Sequence, residues 1–315
     1  MTRNEKFFQY INPSGRGLEV GPGPFPIAPK KEGFNVEVID YAPKDELLSK
    51  FQAHGVETTG IEEVDHLWNG ETYAELTGVK DHYDWIIASH VIEHVPDIVG
   101  FLNSCSEVLN GRGVLSLAVP DKRYCFDRFR PVSSLAQVID SHLAGKTKHS
   151  IGSITDFELN QVLKNGLISW DRFSTGTDGY DFANQPEKVA SDLRADNPTS
   201  EYTDCHAWCF TPNSFRLMIN DLYELGLIDL TEIGFFPTAG NEFFIALGKN
   251  RGDAESRQSR LELAQAAERD QIEHIAATEL IGTGLKNLVA DFDFRIRQAG
   301  GRSQLLRKLL GRSKK

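Results

Sequence analysis

The sequence predicts an α/β protein whose mostly parallel sheet is covered by helices on both faces. Strand-like apolar runs alternate with segments of helical spacing through the first 120 residues. The runs are apolar at most positions, which is typical of strands buried on both faces. Parallel strands need crossover connections, which are right-handed, and such sheets bind ligands at the carboxyl ends of their strands.

The elements of the first half each follow from a local pattern. A strand pattern ends at a glycine or a proline, whereas a helix pattern repeats its apolar residues at three- and four-residue spacing. The predicted elements are strands at residues 17–21 (GLEVG), 34–40 (FNVEVID), 83–89 (YDWIIAS) and 113–119 (GVLSLAV), with helices at residues 45–54 and 97–109.

The second half divides into an insertion, a return to the core and a tail. Residues 128–205 lose the rhythm of the core and carry amphipathic pieces at 134–143 and 156–163, so we predict an insertion over the carboxyl edge of the sheet. A helix then begins at Thr211-Pro212, where the threonine is the N-cap. Strands at 227–236 and 242–248 are joined by a short turn, which implies an antiparallel pair at one edge. The expected parts are residues 1–127 (first part of the core), 128–205 (insertion), 206–250 (closing helix and antiparallel strands) and 251–315 (helical tail with a basic amphipathic end).

Composition limits the class of protein. Of 315 residues 40% are hydrophobic and 25% charged, and the net charge of −11 argues against a nucleic-acid binder. The four cysteines are too few for a disulfide scaffold, and without a signal core or an apolar run of membrane-spanning length we expect a cytoplasmic protein.

The last 22 residues differ in charge from the rest of the chain. Residues 294–315 hold eight Lys or Arg and no acid, while the rest of the chain holds 26 bases and 45 acids, a net charge of −19. With leucines between its bases, this segment has the pattern of a basic amphipathic helix that contacts an anionic membrane surface from the cytoplasmic side. A disordered terminus, or a helix docked on the acidic body of its own chain or of a second copy in a homo-oligomer, remains an alternative.

The first strand and the second carry a nucleoside-ligand pattern. Glu19 precedes Gly21-x-Gly23, and Asp40 closes the second strand. Glycines let a ligand approach the backbone, and an acid at the end of the second strand accepts hydrogen bonds from both ribose hydroxyls. Pro26 stands where a dinucleotide motif needs its third glycine, and a carboxylate at Glu19 would repel a diphosphate but attract an ammonium group. The ligand that combines adenosine with a cationic amino acid is S-adenosyl-L-methionine (SAM). Taken singly, the glycines fit a plain turn and the acid a solvated strand end.

Four ordered segments resemble one known family. LEVGPG, VEVID, YDWIIASHVIEHVPD and LNGRGVLSLAVPDKRYCFD are similar to the class I SAM-dependent methyltransferases, and within them to a bacterial subgroup associated with surface-polysaccharide and glycan biosynthesis. The resemblance covers roughly residues 15–250 and implies a Rossmann-like seven-stranded sheet with one antiparallel edge strand. The departure is Pro24-Phe25-Pro26, which shortens or displaces the first helix.

The resemblance also implies which residues bind the cofactor. Residues 1–127 would bind SAM, and the insertion would shape the site of the methyl acceptor. An acid after the third strand lies near the adenine in the family, and Asp65 is the candidate. The expected cofactor-binding residues are Glu19, Gly21, Gly23, Asp40, Tyr41, Asp65, Ser89 and His90.

Methyl transfer to a hydroxyl needs alignment and benefits from a base, for which histidine is the usual choice. His90 and His94 in SHVIEHVPD and His206 in YTDCHAWCFTP are the candidates, each with a structural hydrogen bond as the alternative. We predict no metal site, because H-x-x-E-H lies at a strand-to-helix junction here and no second ligand pair follows Cys205-His206-x-x-Cys209.

The loop after the predicted strand at 113–119 supplies further candidate site residues, namely Asp121, Arg123 and Tyr124. Arg123 and Lys122 would clamp a phosphate or sugar acid, and Tyr124 would stack on a sugar. The alternative is a charged loop with an internal Asp121–Arg123 pair.

The predicted function is therefore SAM-dependent O-methylation of a small molecule, sugar or lipid-linked glycan, with a place in polysaccharide biosynthesis. An NAD-dependent oxidoreductase shares the ribose acid but lacks the third glycine. A catalytically inactive SAM-binding regulatory or scaffold protein is the alternative from outside the enzymes.

Overall fold

The computed structural model describes residues 1–53, 55–171, 179–194, 203–249 and 258–283, with side chains of the last segment described to residue 272. In this part of the chain, seven strands form one mixed sheet in the order β3-β2-β1-β4-β5-β9-β8. The strands are β1 Gly17–Val20, β2 Val36–Asp40, β3 His66–Leu67, β4 Tyr83–Ser89, β5 Leu109–Pro120, β8 Thr231–Ala239 and β9 Glu242–Gly248.

The predicted fold class is confirmed. Strands β1 to β5 pair in parallel, and β9 pairs antiparallel with both β5 and β8, so an antiparallel pair closes this side of the sheet. β4 covers the predicted residues, and its side chains divide between the two faces. Ile86 packs in one hydrophobic cluster, whereas Trp85 and Ile87 pack in the other. An uninterrupted apolar run is thus explained by burial on both faces.

Helices cover both faces and hold the sheet edges in place. α4 begins after Asp97, whose carboxylate accepts a hydrogen bond from Gly100 N, and its apolar side chains bury against the sheet. α1 places Phe7 against Phe244 on the opposite face. The core helices are α1 Arg3–Phe8, α2 Lys44–Ala53, α3 Tyr73–Thr77, α4 Ile98–Val108 and α8 Pro212–Glu224.

The connection after β1 has no α-helix. The structure has a proline-rich loop there, followed by one 3-10 turn at Lys30–Glu32. Pro24 and Pro26 lack backbone N–H groups, and a proline inside a helix also clashes with the preceding turn. The prediction that these prolines shorten or displace the first helix is confirmed.

The segment between β5 and α8 carries its own small elements. α5 matches the amphipathic piece predicted at residues 134–143, but α6 ends at Asn160 and the next residues form a strand, so the piece predicted at 156–163 is only partly helical. These elements are α5 Leu135–Leu143, α6 Ile151–Asn160, β6 Val162–Lys164, β7 Tyr180–Phe182 and α7 Pro186–Arg194.

After the sheet, α9 (Arg260–Thr283) packs against α8, where Arg260 forms a two-bond ion pair with Asp221. The basic segment at residues 294–315 lies outside the described residues. Among the described residues, none of the helices combines the length and the apolarity needed to span a bilayer.

Candidate active site

A cavity opens at the carboxyl ends of β1, β2 and β4. Gly21 follows the first of these strands, Asp40 ends the second, and His90 follows the third. The remaining walls come from α2, from Trp68 after β3, and from Asp204 at the end of the insertion. Its position agrees with the rule that open α/β sheets bind ligands beyond the carboxyl ends of their strands.

The glycine turn leaves the floor of this cavity without side chains. Gly21 and Gly23 have φ angles of 60° and 52°, in the left-handed region that L side chains rarely adopt. A Cβ atom at Gly23 would also lie 3.3 Å from the ring of Phe51. A ligand can therefore approach the backbone here, as predicted.

Glu19 does not have its predicted role at the ammonium end of the ligand. Its side chain is 2% exposed, and its two oxygens accept hydrogen bonds from Ile27 N at 2.6 Å and Ala28 N at 3.1 Å. Burial raises the pKa of Glu19 to about 7, against the lowering effect of these two bonds. Glu19 thus holds the proline-rich loop in place of the helix that is missing there, and is not among the residues that line the cavity.

Asp40 lies at the cavity wall, where a ribose-binding acid is expected. Its carboxylate is buried, accepts a hydrogen bond from Tyr41 N at 2.8 Å, and lines the cavity. Burial raises its pKa to about 6, so the group is mostly ionised at neutral pH. Tyr41 is half exposed beside it, and its hydroxyl accepts a hydrogen bond from Lys50 Nζ at 2.5 Å.

Asp65 is not placed to reach the adenine. It precedes β3 instead of following it, and its carboxylate accepts hydrogen bonds from Lys30 Nζ and from Val38 N. The residue that follows β3 and lines the cavity is Trp68, with its indole N–H bonded to Glu71 O at 2.8 Å. Trp68 escaped the sequence analysis because β3 is only two residues long and gives no strand pattern.

His90 lies on the cavity wall in a left-handed conformation, with φ 55°. Its Nε2 is 2.8 Å from Glu242 Oε2, and its Nδ1 is 3.5 Å from Glu93 Oε1. Burial alone would lower the pKa of His90, but these two carboxylates raise it to about 9. His90 therefore carries a proton at neutral pH, which argues against its predicted role as a base.

Arg3 connects this histidine to the N-terminal helix. Its guanidinium binds both oxygens of Glu242, at 2.7 and 2.9 Å, and donates to Ser89 Oγ at 2.7 Å. Burial would raise the pKa of Glu242, but His90 and Arg3 lower it to about 2. Ser89 is thus tied to Arg3 and is not among the cavity-lining residues, contrary to its predicted contact with the cofactor.

Behind His90, the side chains of His94 and His206 lie next to the buried carboxylate of Glu93. Glu93 is 0% exposed, and its Oε1 lies 3.9 Å from Nε2 of both His94 and His206. His94 lines the cavity, whereas His206 lies deeper and is not among the lining residues. Burial would raise the pKa of Glu93, but the surrounding histidines lower it.

His94 and His206 each have a second carboxylate close to Nδ1 of the ring. Nδ1 of His94 is 2.7 Å from Asp204 Oδ1, and Nδ1 of His206 is 2.5 Å from Asp127 Oδ2. Arg130 in turn donates to Asp127 Oδ1 at 2.7 Å. Asp127 carried no signal in the sequence, because its partner is 79 residues away.

The loop after β5 has a structural role in place of the predicted clamp. Arg123 binds both carboxylate oxygens of Asp121, at 2.9 and 2.6 Å, and donates to Asp270 O of α9. Asp121 is fully buried and also accepts a bond from Thr238 Oγ1. Tyr124 lies under the guanidinium of Arg123, with the ring centroid 5.4 Å away, and none of the three lines the cavity.

The nearby cysteines are packing residues. Cys205 and Cys209 are both buried, and burial raises the pKa of each thiol, so neither is a thiolate at neutral pH.

The cavity fits the adenosyl part of a nucleoside cofactor. Asp40 would accept hydrogen bonds from the ribose hydroxyls, and the side-chain-free turn would admit the ligand to the backbone. Trp68 and Phe51 would cover the adenine. The proline loop offers few N–H donors for a diphosphate, which disfavours a dinucleotide.

A Rossmann-like sheet with this turn, this acid and this loop defines a nucleoside-cofactor enzyme of the methyl-transferring class. The family model described as a methyltransferase domain matches residues 2–166, more than half of the chain, and the chain belongs to this family. It is a SAM-dependent methyltransferase.

Several solved structures are similar to this chain at low sequence identity. One is a SAM-dependent methyltransferase from Methanosarcina mazei, with 13% identity over 78% of this chain and 96% of that chain and a TM-score of 0.39. The trans-methyltransferase CalH in complex with SAH has 14% identity over 78% and 53% of the two chains and a TM-score of 0.37. A protein from Rhodobacter sphaeroides described as a Zn-dependent alcohol dehydrogenase has 12% identity over 78% and 88% and a TM-score of 0.41. Likenesses this distant carry no argument about activity. No curated protein matches the chain.

Proposed function

We propose that the protein transfers the methyl group of SAM to a hydroxyl oxygen of a sugar or of a lipid-linked glycan. The observation that carries the proposal is the histidine–carboxylate cluster on the cavity wall that includes His94 and Asp204. A sugar hydroxyl is a weak nucleophile until its proton is removed. Burial would lower the pKa of His94, but Asp204 and Glu93 raise it, and His94 accepts that proton in its neutral form.

The cofactor side of the cavity supports the same assignment. Asp40 and Trp68 lie on the β2–β3 side, and His90 and His94 lie on the β4 side. An acceptor that enters on the histidine side would meet the sulfonium methyl group between these walls. Alignment of the oxygen, the methyl carbon and the sulfur is the main demand of this reaction.

A neighbouring cavity supports a polar acceptor. It shares Pro96 with the cofactor cavity and is lined by side chains of the insertion, among them Lys146, Lys148 and His149, and by Trp208. Indole faces stack on sugar rings, and basic side chains pair with phosphate or carboxylate groups. This combination fits a sugar that carries an acidic or phosphorylated group.

The test is a transfer screen with purified full-length protein. SAM, or an analogue with a transferable reporter group, is incubated with sugar nucleotides and with lipid and glycan extracts of the producing cell, and products are identified by mass spectrometry. We expect a methylated hydroxyl and one SAH per product. Asp40→Asn should lower transfer at limiting SAM about 10- to 100-fold through weaker cofactor binding, whereas Asp45→Asn, in the first turn of α2 and outside the cavity lining, should not.

The same material separates the other classes. Binding of NAD in place of SAH in calorimetry would indicate an oxidoreductase. Tight SAM binding without transfer to any extract would indicate a regulatory subunit, and transfer to carbon or nitrogen would overturn the hydroxyl assignment.

A further inference from the structure

The carboxylate of Glu93 lacks the donors that a buried charge requires. Within the described ranges, neither of its oxygens has a hydrogen-bond partner, although the side chain is fully buried. The nearest histidine nitrogen, Nδ1 of His90, is 3.5 Å away, which is beyond the usual range for a hydrogen bond. The protonated His90 partly compensates the charge of this buried carboxylate, and a cation bound between Glu93 and the other two histidines would add direct contacts.

Two imidazole rings lie next to Glu93. One ring nitrogen of His94, one of His206 and an oxygen of Glu93 all lie within 4.8 Å of one another, and Nε2 of each ring is 3.9 Å from Glu93 Oε1. The two rings are nearly perpendicular, at 87°, with centroids 4.6 Å apart. Three possible ligand atoms thus lie close together on these side chains.

The opposite nitrogens of the two rings are fixed by acids. Nδ1 of each ring lies at hydrogen-bond distance from Asp204 or Asp127, and Nε2 of each ring lies 3.9 Å from Glu93 Oε1. A carboxylate behind a histidine is the usual second shell of a metal ligand, because it sets the tautomer and the ring orientation. The acids that hold these histidines come from separate parts of the chain.

We propose that Glu93, His94 and His206 bind one divalent transition-metal ion at the wall of the cofactor cavity. Two imidazoles and one carboxylate with remaining open positions are the donor set of catalytic Zn²⁺ and of non-haem Fe²⁺ sites. Bonds of about 2.1 Å at a tetrahedral angle separate ligand atoms by about 3.4 Å, so the 3.9 Å separations need to shorten by roughly 0.5 Å on binding.

The use of the ion rests on the proposed function. An acceptor hydroxyl that enters an open coordination position on the side of His94 would have its pKa lowered by the metal. Its proton would leave to solvent, and the oxygen would form a bond to the methyl carbon. The C–S bond would break with its electron pair going to sulfur, which converts the sulfonium to the neutral thioether of SAH.

Metal binding is tested without any acceptor. The full-length protein is stripped with a chelator, dialysed, and titrated with Co²⁺ and Zn²⁺, with the d–d absorption of Co²⁺ and the metal content per chain as the two readouts. We expect one ion per chain and a Co²⁺ spectrum of a four- or five-coordinate site. Glu93→Gln and His206→Gln should each weaken binding by about 100-fold or more, since each removes a direct ligand.

His66→Gln is the matched control. Nε2 of His66 also lies against a carboxylate, 2.8 Å from Glu37 Oε2, but outside the cluster. Its metal affinity should equal that of the unchanged protein. Asp204→Asn, which removes only an outer acid, should weaken binding about 10-fold and serves if the ligand variants do not fold.

Absence of stoichiometric Co²⁺ binding, or an affinity that Asp204→Asn leaves unchanged, would overturn the metal site. That result would leave O-methylation standing, with a histidine of the cluster as the base. Conversely, one bound ion with no hydroxyl methylation in any extract would reject the proposed function and keep the site.

Discussion

Asp204 Oδ1 lies 2.7 Å from His94 Nδ1, and this contact joins the end of the insertion to the loop after β4. Asp204 Oδ2 is also 3.4 Å from Nζ of Lys50 in α2. Burial would raise the pKa of Asp204, but His94 and Lys50 lower it, so this acid is ionised between them. The segment between β5 and α8 therefore contributes Asp204 to the wall of the cavity.

Asp40→Asn should weaken SAH binding. The carboxylate offers charged acceptors to the ribose hydroxyls, and such hydrogen bonds contribute about 1.5–3 kcal/mol, or roughly 10- to 100-fold in affinity. Because the pKa of Asp40 is raised to about 6, the affinity of the unchanged protein should fall as the pH drops through that value, whereas the variant should show a flat profile. Calorimetry with SAH over this pH range measures both effects, with Asp45→Asn as the control. Equal affinities of the Asp40 variant and the unchanged protein would remove Asp40 from the site.

Glu19→Gln should act through the loop and not through the amino-acid end of the cofactor. The amide keeps one accepting oxygen and turns an NH₂ group toward a buried backbone N–H, which should lower the free energy of unfolding by about 1–3 kcal/mol. Any loss of affinity should be equal for SAH and for methylthioadenosine, which lacks the aminoacyl group. Urea unfolding and calorimetry with both ligands test this. A loss confined to SAH would restore the ammonium-binding role.

Trp68→Ala should weaken SAH binding more than Trp68→Phe. Stacking of a base on an aromatic side chain contributes about 1–3 kcal/mol, and phenylalanine retains an aromatic face. The relevant measurement is the dissociation constant of SAH for the two variants and the unchanged protein. An alanine variant that binds SAH normally would show that the adenine lies elsewhere.

Arg123→Gln should destabilise the protein without changing its affinity for SAH or for the methyl acceptor. The change leaves Asp121 buried without its cation, and breaking a buried pair costs about 3–5 kcal/mol. The same side chain also contacts Asp270 of α9, so the melting temperature should fall while calorimetry with SAH is unaffected. A variant of normal stability with a raised KM for the acceptor would instead support the phosphate clamp.

How far the sequence predicts this fold depends on the length of each pattern. The sequence predicts β4 and β9 to the residue because each contains four or more consecutive apolar residues. β3 has two residues and was missed, and the adenine candidate was consequently placed on Asp65 and not on Trp68. A strand of two residues is too short to show the apolar–polar alternation from which a strand is predicted.

Of the candidate site residues, Gly21, Asp40 and His94 line the cavity. Glu19 does not, because a pattern of residue types cannot distinguish a carboxylate that meets a ligand from one that meets the backbone of the next loop. His206 and Asp127 come together only when the segment between them has folded. Their separation in the sequence therefore gives no sign of this contact.

The pairing of β5 with β9 has a consequence for work with fragments. The family match ends at residue 166, but β9, all of it buried, supplies the antiparallel neighbour of residues 114–120. A recombinant piece limited to the matched region would present β5 as a bare, apolar edge that invites association with other chains. On the ribosome, too, the sheet stays open until translation has passed residue 248.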